Sequence, residues 1–446
     1  MRALRLIVAA ALAVPMALIA QEGASAGGAG RSATRTKPSP VPVRASTTNR
    51  AASAAFLPER MTRIDEWLER LITEQKIPGA IVMLVKDGQV AYHKAYGYRD
   101  LGTKVPQQPD DIFRIASQTK AITSLAVMML YEEGRFQLDD AIGTYLPAFK
   151  EQVVLTKFNA ADSSYESKPT RRRITIRQLL THTSGLDYAD IGSDELKAIY
   201  AKAGITALGN PGDVLGPKID RLGSLPLKHE PGERFTYSLS VDVLGRLVEV
   251  VSGMPLDQYF RTRIFEPLKM KDTGFDVPAA KRDRLVAMHE DTAKTGTIKP
   301  MHGKPAAGGS GPRWYPDLPA EHVTYFSGGG GLVSTTADYA RFLQLFVNGG
   351  QLDGVRLLGR KTVEMMLTNQ VGNLQPAFGL GFALETAEND SRTPASLGTF
   401  SWGGAFNTTY WADPKEKLVA LVYTNTYQVP TALGAPFRSM VYAAIR

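Results

Sequence analysis

A serine and a lysine three residues apart are the residues of this sequence whose types can most directly do chemistry together. They lie in the run Phe113-Arg114-Ile115-Ala116-Ser117-Gln118-Thr119-Lys120, which leads into an apolar helix. On a helix, this spacing places both side chains on one face, about one turn apart. An uncharged lysine amine can then take the proton of the serine hydroxyl and make it a nucleophile. A serine N-cap followed by a solvated lysine fits the same spacing, so S-x-x-K alone is a weak signal.

A tyrosine is the second residue that can take part in proton transfer. Tyr237 follows Pro231-Gly232 and precedes an amphipathic helix predicted from about Val241 to Ser252, so it is expected on a loop. A phenol held near Lys120 can pass the serine proton to a leaving group. A half-buried tyrosine that caps the helix is the plainer interpretation of the same pattern.

A pair of glycines marks the third group, in the run Ser401-Trp402-Gly403-Gly404-Ala405 between two predicted strands. Glycines at such a place let the backbone approach a ligand closely, and a strand N–H can donate to an oxyanion. A tight turn explains two glycines equally well. The elements around the three groups are therefore needed to decide between these interpretations.

Strands are predicted near both ends of the chain. They cover Ala80–Lys86 and Gln89–Ala95 around the hairpin signal Asp87-Gly88, and Thr399–Trp402, Phe406–Trp411 and Lys417–Thr424. Helical periodicity covers residues 57–76 and 430–445. This order favours an antiparallel sheet flanked by helices and assembled from both ends, with a mainly helical subdomain inserted between its strands.

Length and composition agree with two packed units. The chain has 446 residues, 43% apolar and 22% charged, which excludes a disordered or collagen-like protein. Single cores stop growing near about 250–300 residues. We predict an α/β (α+β) fold in which residues 56–105 and 326–446 form the sheet subdomain and residues 106–325 the mainly helical one.

The absence of cysteine and of any metal-binding histidine pattern excludes several kinds of catalytic and metal site. The sequence has no cysteine, so thiolate nucleophiles, disulfides and thiolate zinc sites are excluded. Its six histidines form no H-x-x-x-H or H-E-x-x-H pattern. Covalent catalysis must therefore use oxygen or nitrogen, and we expect neither a metal nor a cofactor.

The first residues of the chain have the order of an export signal. Residues 1–26 contain arginines, an apolar run and then Ala24-Ser25-Ala26, as in a secretory signal peptide. The apolar run is shorter than the roughly 20 residues that a membrane span needs. We expect a periplasmic or secreted protein without stable membrane insertion.

The positive charge of the chain is concentrated in the next segment. Residues 27–55, rich in Ala, Ser, Thr, Pro and Arg, are predicted to be a disordered basic linker. Five basic residues and no acidic one lie between residues 27 and 50, against a net charge of +8 for the chain. Since the remaining surface is nearly balanced, we expect no nucleic-acid partner.

Taken in this order, the three groups resemble the motifs of the serine β-lactamase and penicillin-binding protein superfamily. The resemblance is nearest to the class C β-lactamases and the family VIII carboxylesterases, and it extends over about residues 57–445. Further stretches that carry it are Ile174–Leu186 with its His-Thr-Ser-Gly run, Phe326–Ser334 and Phe265–Met270. Companion motifs of this kind make an S-x-x-K motif indicate catalysis.

The resemblance implies a mechanism through an acylated serine. Ser117 would be the nucleophile and Lys120 the group that deprotonates it. Tyr237, at the place of the tyrosine in the family's Y-x-N element, would be the second acid and base. An α/β-hydrolase is not indicated, because the sequence contains no G-x-S-x-G.

The resemblance also implies the residues that bind the substrate. The N–H groups of the nucleophile and of Ala405 would donate to the oxyanion, with Trp402, Gly403 and Gly404 beside the substrate. Tyr188, shortly after the His-Thr-Ser-Gly-Leu run, corresponds to a further active-site tyrosine of several related esterases. His182 and His229 are interpreted as structural.

Two departures from the class C pattern indicate the substrate. Leu239 stands in place of the family's Asn, and Trp402 in place of the lysine of K-T-G. That lysine supplies a cation near the lactam carboxylate, and the Asn donates to a substrate amide. We therefore predict a small-molecule carboxylic ester without charge as the substrate, with Asn407 as a candidate replacement for the lost amide.

Two other functions fit the same sequence. A β-lactamase or a D-amino-acid peptidase or amidase of this superfamily would share the nucleophile, base and oxyanion hole. A catalytically silent module that binds cell-wall peptides would keep only the scaffold. The polar stretches 150–173 and 295–313 are predicted to shape acyl or alcohol selectivity, solvated surface loops being the alternative.

Overall fold

The computed structural model describes residues 40–210, 212–291, 295–301 and 323–446. Its strands are, in chain order, β1 (Val43–Ala45), β2 (Gly79–Lys86), β3 (Gln89–Asp100), β4 (Val105–Pro106), β5 (Phe113–Arg114), β6 (Val153–Asn159), β7 (Ser164–Pro169), β8 (His289–Glu290), β9 (Lys299–Pro300), β10 (Val333–Ser334), β11 (Gln351–Leu352), β12 (Val355–Arg356), β13 (Ala383–Leu384), β14 (Phe400–Gly404), β15 (Thr408–Asp413), β16 (Leu418–Tyr423) and β17 (Thr426–Tyr427).

The helices lie mostly between these strands. The α-helices are α1 (Arg50–Ser53), α2 (Pro58–Thr73), α3 (Thr119–Glu132), α4 (Ile176–Leu180), α5 (Asp194–Lys202), α6 (Leu215–Gly223), α7 (Ser240–Ser252), α8 (Leu256–Phe260), α9 (Thr336–Val347), α10 (Arg360–Met366) and α11 (Gly434–Ala444). Short 3-10 segments cover Ala116–Gln118, Ile142–Thr144, Pro147–Phe149, Ala279–Arg284 and Asp390–Arg392, and a π-helical turn covers Arg261–Phe265.

An eight-stranded sheet holds the two ends of the chain together. Its order is β1-β3-β2-β16-β15-β14-β13, with β4 paired to β3, and its neighbours are antiparallel. The N-terminal β2 lies beside the C-terminal β16, with Ile81 opposite Tyr423. The prediction of an antiparallel sheet assembled from both ends is confirmed, although β3 continues past the predicted Ala95 to Asp100.

Both faces of the sheet are apolar because successive side chains of a strand point to opposite sides. On one face, Val82 and Leu84 belong to a core that also contains buried residues of α2 and α11. On the other face, Ile81 and Met83 belong to a larger core with residues of α3 and α9. Helix α3 is buried on nearly all sides, which fixes the position of its first turn.

Helices α3 to α8 occupy the middle of the chain, where a mainly helical subdomain is predicted. Helix α7 packs against α3, α4, α6 and α8. Two loops of this group of helices precede α5 and α7. These loops carry the tyrosines singled out in the sequence.

The predicted disordered linker is wrong for residues 40–55. Strand β1 pairs with the edge of β3, Val43 lying opposite Tyr96, and α1 follows with an Asn49 side chain that accepts from the Ala52 N–H. Proline is compatible with an edge strand, so a proline-rich composition hid a short strand anchored by Val41 and Val43. Residues 1–39, which include the predicted signal peptide, lie outside the described residues.

The two polar stretches differ in what can be said of them. Residues 150–173 contain the β6–β7 hairpin rather than an irregular loop, and β7 is exposed along its whole length. Of the stretch 295–313, only residues 295–301 are described. Among the helices described, none is long and apolar enough to cross a membrane.

Candidate active site

The serine of the S-x-x-K motif lies in a strained turn rather than in the helix itself. Ser117 is the middle residue of the 3-10 turn Ala116–Gln118, between β5 and α3. Ala116 has a φ of 44°, a left-handed conformation that costs a residue with a side chain about 1–2 kcal/mol. The pairing of β5 with β10 and a 3.1 Å bond from the Ile115 N–H to the Leu332 carbonyl hold the strain in place.

The lysine of the motif is buried beside this serine. Lys120 lies in the first turn of α3 and is 3% exposed. Its Nζ lies 3.3 Å from Ser117 Oγ and 3.3 Å from the hydroxyl of Tyr188, and it donates to the Gly329 carbonyl at 2.5 Å. The spacing in the sequence thus brings the amine within reach of the serine proton.

A glycine-rich loop before β10 supplies that carbonyl. Gly329 N–H and Ser327 Oγ both donate to Oδ1 of Asp242, at 3.1 and 2.6 Å. A Cβ built on Gly329 would lie 2.3 Å from Asp242 Oδ2, so only glycine fits. Burial raises the pKa of Asp242, and the charge of Lys120 opposes that shift. The carboxyl therefore anchors the loop that holds the amine.

Two stacked tyrosines form the wall beside the amine. The rings of Tyr188 and Tyr237 are 5.3 Å apart and nearly parallel. Lys120 Nζ lies 4.7 Å from the centroid of the Tyr237 ring and 5.3 Å from that of Tyr188, a cation–π arrangement. Burial raises the pKa of Tyr188 well above its usual value, and Tyr237 and Asp242 raise it further.

The hydroxyl of Tyr237 is buried and has no hydrogen-bond partner among the described residues. Buried polar atoms of proteins are normally paired, so an unpaired one beside a nucleophile is a candidate for proton transfer. The structure thus brings together Ser117, Lys120, Tyr188 and Tyr237, which the sequence places as far as 120 positions apart.

His182 holds the loop of Tyr237. The carbonyl of His182 accepts from the Thr236 N–H at 2.7 Å, and its Nδ1 accepts from the Ser238 N–H at 3.3 Å. Its ring lies 4.8 Å from that of Tyr237. Burial and then the charge of Lys120 lower the pKa of His182 well below its usual value, so the ring is neutral. His182 therefore has a positional role that agrees with its interpretation as structural.

Strand β14 closes the other side of the site. A Cβ on Gly404 would lie 2.3 Å from the Ile115 carbonyl oxygen, so glycine allows the strand to approach the serine turn. Ala405 follows in the exposed turn to β15. No described residue accepts a hydrogen bond from its N–H. This N–H is free to donate to an oxyanion, as the resemblance implies.

An aromatic cluster packs next to the two stacked tyrosines. Trp402 lies 5.5 Å from Tyr237 and 5.3 Å from Phe378, and Phe378 lies 5.3 Å from Phe235. Sequence reasoning missed Phe235 and Phe378, because single phenylalanines distant in sequence give no spacing signal. It also missed the carbonyl of Gly329 and the carboxyl of Asp242, although the run Phe326–Ser334 was recognised.

The proposed role of Asn407 as a substitute amide donor is wrong. Its Nδ2 donates both to the Thr431 carbonyl at 2.9 Å and to Thr426 Oγ1 at 3.2 Å. Because an amide nitrogen has two hydrogens, neither remains for a substrate. In the part of the chain described, no group of three or more His, Asp or Glu side chains can hold a metal ion.

The β-lactamase family model matches residues 64–441 of the chain, which includes every residue of this site. The chain belongs to the β-lactamase family. The chain is accordingly a serine hydrolase.

Individual relatives of the family are similar over most of their length. Protein Rv1367c of Mycobacterium tuberculosis is 34% identical over 77% of this chain and 85% of its own. Esterase EstB of Burkholderia gladioli is 30% identical over 85% of this chain and 95% of its own. The solved structure of EstCE1, a hydrolase with promiscuous acyltransferase activity, superposes with a TM-score of 0.74, at 28% identity over 89% of this chain and 99% of its own.

Proposed function

We propose that this β-lactamase family member hydrolyses uncharged carboxylic esters through an acyl-Ser117 intermediate. The observation that carries the proposal is the aromatic cluster of Trp402, Tyr237 and Phe378 beside the Ser117–Lys120 pair. An apolar surface at the position of the K-T-G lysine favours a substrate without a carboxylate there.

Acylation begins when the uncharged form of the Lys120 amine takes the proton of Ser117, whose hydroxyl oxygen lies 3.3 Å from Nζ. Ser117 Oγ forms a bond to the ester carbonyl carbon, and the negative charge moves to the carbonyl oxygen. The N–H groups of Ser117 and Ala405 donate to that oxyanion. The carbon–oxygen bond to the alcohol then breaks, and the alcohol leaves with a proton that Tyr237 relays from Lys120.

Deacylation reverses the roles with water as the nucleophile. Tyr237 and Lys120 take a proton from water, whose oxygen attacks the acyl carbon, and Ser117 Oγ leaves and regains a proton. The Tyr237 hydroxyl, which has no hydrogen-bond partner among the described residues, is the proposed relay for this proton. Tyr188, whose pKa is raised by burial, stays protonated at neutral pH, and its hydroxyl accepts a hydrogen bond from Lys120 Nζ at 3.3 Å.

The names of two relatives support an ester as the substrate. EstB is called an esterase, and EstCE1 a hydrolase with acyltransferase activity. Hydrolysis and acyl transfer can share one acyl-serine intermediate, from which an alcohol in place of water gives transfer rather than hydrolysis.

Export is a second part of the proposal. It rests on the signal-peptide order of residues 1–26, with cleavage after Ala26. Expression of the full chain in a bacterial host, followed by fractionation and mass spectrometry of the mature N-terminus, tests it. Recovery of an uncleaved chain from the cytoplasm would refute export without touching the esterase proposal.

Turnover of three substrate classes tests the ester proposal. We expect p-nitrophenyl butyrate to be hydrolysed at a kcat/KM at least about 100-fold above a chromogenic cephalosporin and a D-alanyl amide. Trapping with a fluorophosphonate, followed by peptide mass spectrometry, must locate the adduct on Ser117. Preferred turnover of the cephalosporin or the amide would refute ester specificity and favour the lactamase or peptidase.

Two serine variants complete this experiment. Ser117→Ala should abolish both turnover and labelling, whereas Ser439→Ala should retain both, because Ser439 bonds only within α11. A chain that binds cell-wall peptides but is neither labelled nor active would instead be the silent binding module.

A further inference from the structure

The turn between β14 and β15, residues Gly404 to Asn407 and here called the oxyanion turn, carries the N–H of Ala405. A hydrogen bond of 3.0 Å from the Asn407 N–H to the Gly404 carbonyl closes it. Asn407 has a φ of 59°, in the left-handed region that asparagine tolerates better than other residues with a side chain. The position of the Ala405 N–H thus depends on how this short turn is held.

Contacts from a second segment hold the oxyanion turn from outside. Asn407 Nδ2 donates to the Thr431 carbonyl and to Thr426 Oγ1, at 2.9 and 3.2 Å. The Thr426 N–H donates to the Phe406 carbonyl at 3.1 Å. Both the backbone of the turn and the Asn407 side chain are therefore bound to residues 426–431.

The segment that receives these bonds is itself anchored. Thr426 is 1% exposed and pairs in β17 with His289 of β8. The His289 N–H donates to the Asn425 carbonyl at 3.0 Å. A donor group fixed in this way needs no reorganisation when charge develops on the substrate, which is the condition for strong oxyanion stabilisation.

We propose that Asn407 is a positioning residue for the oxyanion hole, acting through the Ala405 N–H and touching no substrate. The inference rests on the proposed acyl-serine function. Both hydrogens of the Asn407 amide are used inside the protein, so the side chain acts only by fixing the turn. The class of ligand concerned is any tetrahedral adduct on Ser117, whether formed from an ester or from a boronic acid.

Two substitutions separate the effect of the Asn407 side-chain bonds from that of its left-handed backbone conformation. Asn407→Gly keeps the backbone conformation and removes both side-chain bonds, and Asn407→Asp keeps the shape but sets a carboxylate against the Thr431 carbonyl. Lys417→Gly is the matched control. Lys417 is exposed, has a φ of 47° and lies in the turn at the other end of β15.

Activity per active site is the measurement, with the active fraction titrated by a fluorophosphonate. Asn407→Gly and Asn407→Asp should each lower kcat for p-nitrophenyl butyrate by about tenfold or more, with a KM change below about threefold. The affinity for an alkyl boronic acid should fall in the same proportion as kcat/KM. Lys417→Gly should change none of these values.

Unchanged kcat per titrated site, with only a lower melting temperature, would overturn the proposal and leave Asn407 a structural residue. An equal change in Lys417→Gly would also overturn it, since any loosening of β15 would then suffice. Failure of the esterase proposal is distinguishable. If the wild-type protein hydrolyses no ester, boronic acid affinity still compares the variants at Ser117.

Discussion

The two walls of the proposed active site present different parts of the chain. The helix-side wall, Lys120, Tyr188 and Tyr237, presents functional groups of side chains, in contact around one buried amine. The strand-side wall, Gly403, Gly404 and Ala405, presents backbone only. Proton transfer needs side chains with suitable acidity, whereas an oxyanion needs only N–H groups in fixed positions.

Different kinds of substitution should therefore lower activity at the two walls. On the helix-side wall, a substitution that keeps the shape but removes one polar atom should be damaging. On the strand-side wall, adding a single carbon should be damaging, because the backbone lies against the serine turn. Titration should concern the helix-side wall alone, since the strand-side wall contains no titratable side chain.

Removal of the amine should have the largest effect. Lys120→Met keeps the length of the side chain but leaves no group to take the Ser117 proton, so kcat should fall by about 10³-fold or more. Steady-state kinetics with p-nitrophenyl butyrate measure the loss. The control is Lys76→Met, since Lys76 also donates to a glycine carbonyl, that of Gly296, at 2.7 Å. Comparable losses in the two variants would show that the effect is structural.

Addition of one methyl group to β14 should have the second-largest effect on kcat. Gly404→Ala places a Cβ 2.3 Å from the Ile115 carbonyl oxygen and pushes the strand from the serine turn. We expect kcat to fall by about 10²-fold as the Ala405 N–H is displaced. At Gly403 the nearest atom is the Thr408 carbonyl oxygen at 3.1 Å, so Gly403→Ala should lose less. The reverse order would contradict the close approach at Gly404.

The two tyrosines of the helix-side wall should differ in how much each contributes to kcat. Tyr237→Phe removes the unpaired hydroxyl and should lower kcat by about 10²-fold, the effect expected of a proton relay. Tyr188→Phe removes a hydroxyl 3.3 Å from Lys120 Nζ and should lower kcat by only about tenfold. Pre-steady-state measurement of acylation and deacylation assigns each loss. A greater loss for Tyr188→Phe would exchange the roles of the two phenols.

A carboxyl near the helix-side wall should affect the free energy of unfolding rather than kcat. Burial raises the pKa of Asp190 from 3.8 to about 6, so the folded protein keeps a proton that the unfolded chain releases. The free energy of unfolding therefore falls as the pH rises from 3.8 to about 6. Asp190→Asn should remove that fall and gain about 3 kcal/mol at pH 7.

Urea unfolding at pH 4 and pH 7 checks this prediction. The gain of Asp190→Asn should be much smaller at pH 4, which lies well below the folded-state pKa of about 6 and close to the unfolded-state value of 3.8. The exposed Asp220→Asn serves as the control and should show no such difference. A gain of equal size at both values would refute the burial effect.

Local patterns in the sequence predicted the sheet and the serine–lysine pair well. The alternation of residues around Asp87-Gly88 involves only residues close in sequence, and so does the three-residue spacing of Ser117 and Lys120. Both can therefore be recognised from the sequence alone. The strained turn at Ala116 cannot be predicted in this way, because it depends on the pairing of β5 with β10, in which Arg114 lies opposite Val333.

Long-range contacts account for the remaining differences. The stacking of Tyr188 on Tyr237 and the Lys120–Gly329 bond arise only when α3, α7 and the glycine loop pack together. The resemblance to a family named both tyrosines, whereas the residues themselves did not place them near the amine. Asn407 was assigned to the substrate because its amide partners, Thr426 and Thr431, lie beyond a whole strand hairpin.

Strand β1 has a practical consequence for recombinant work. It pairs with residues Lys94 to Tyr96 of β3 at the margin of the eight-stranded sheet. A shortened protein that starts at Phe56 would leave those backbone groups unpaired, and uncovered strand edges recruit other chains. Expression plasmids should therefore retain residues from Pro40 onward, so that the purified enzyme stays dispersed at high concentration.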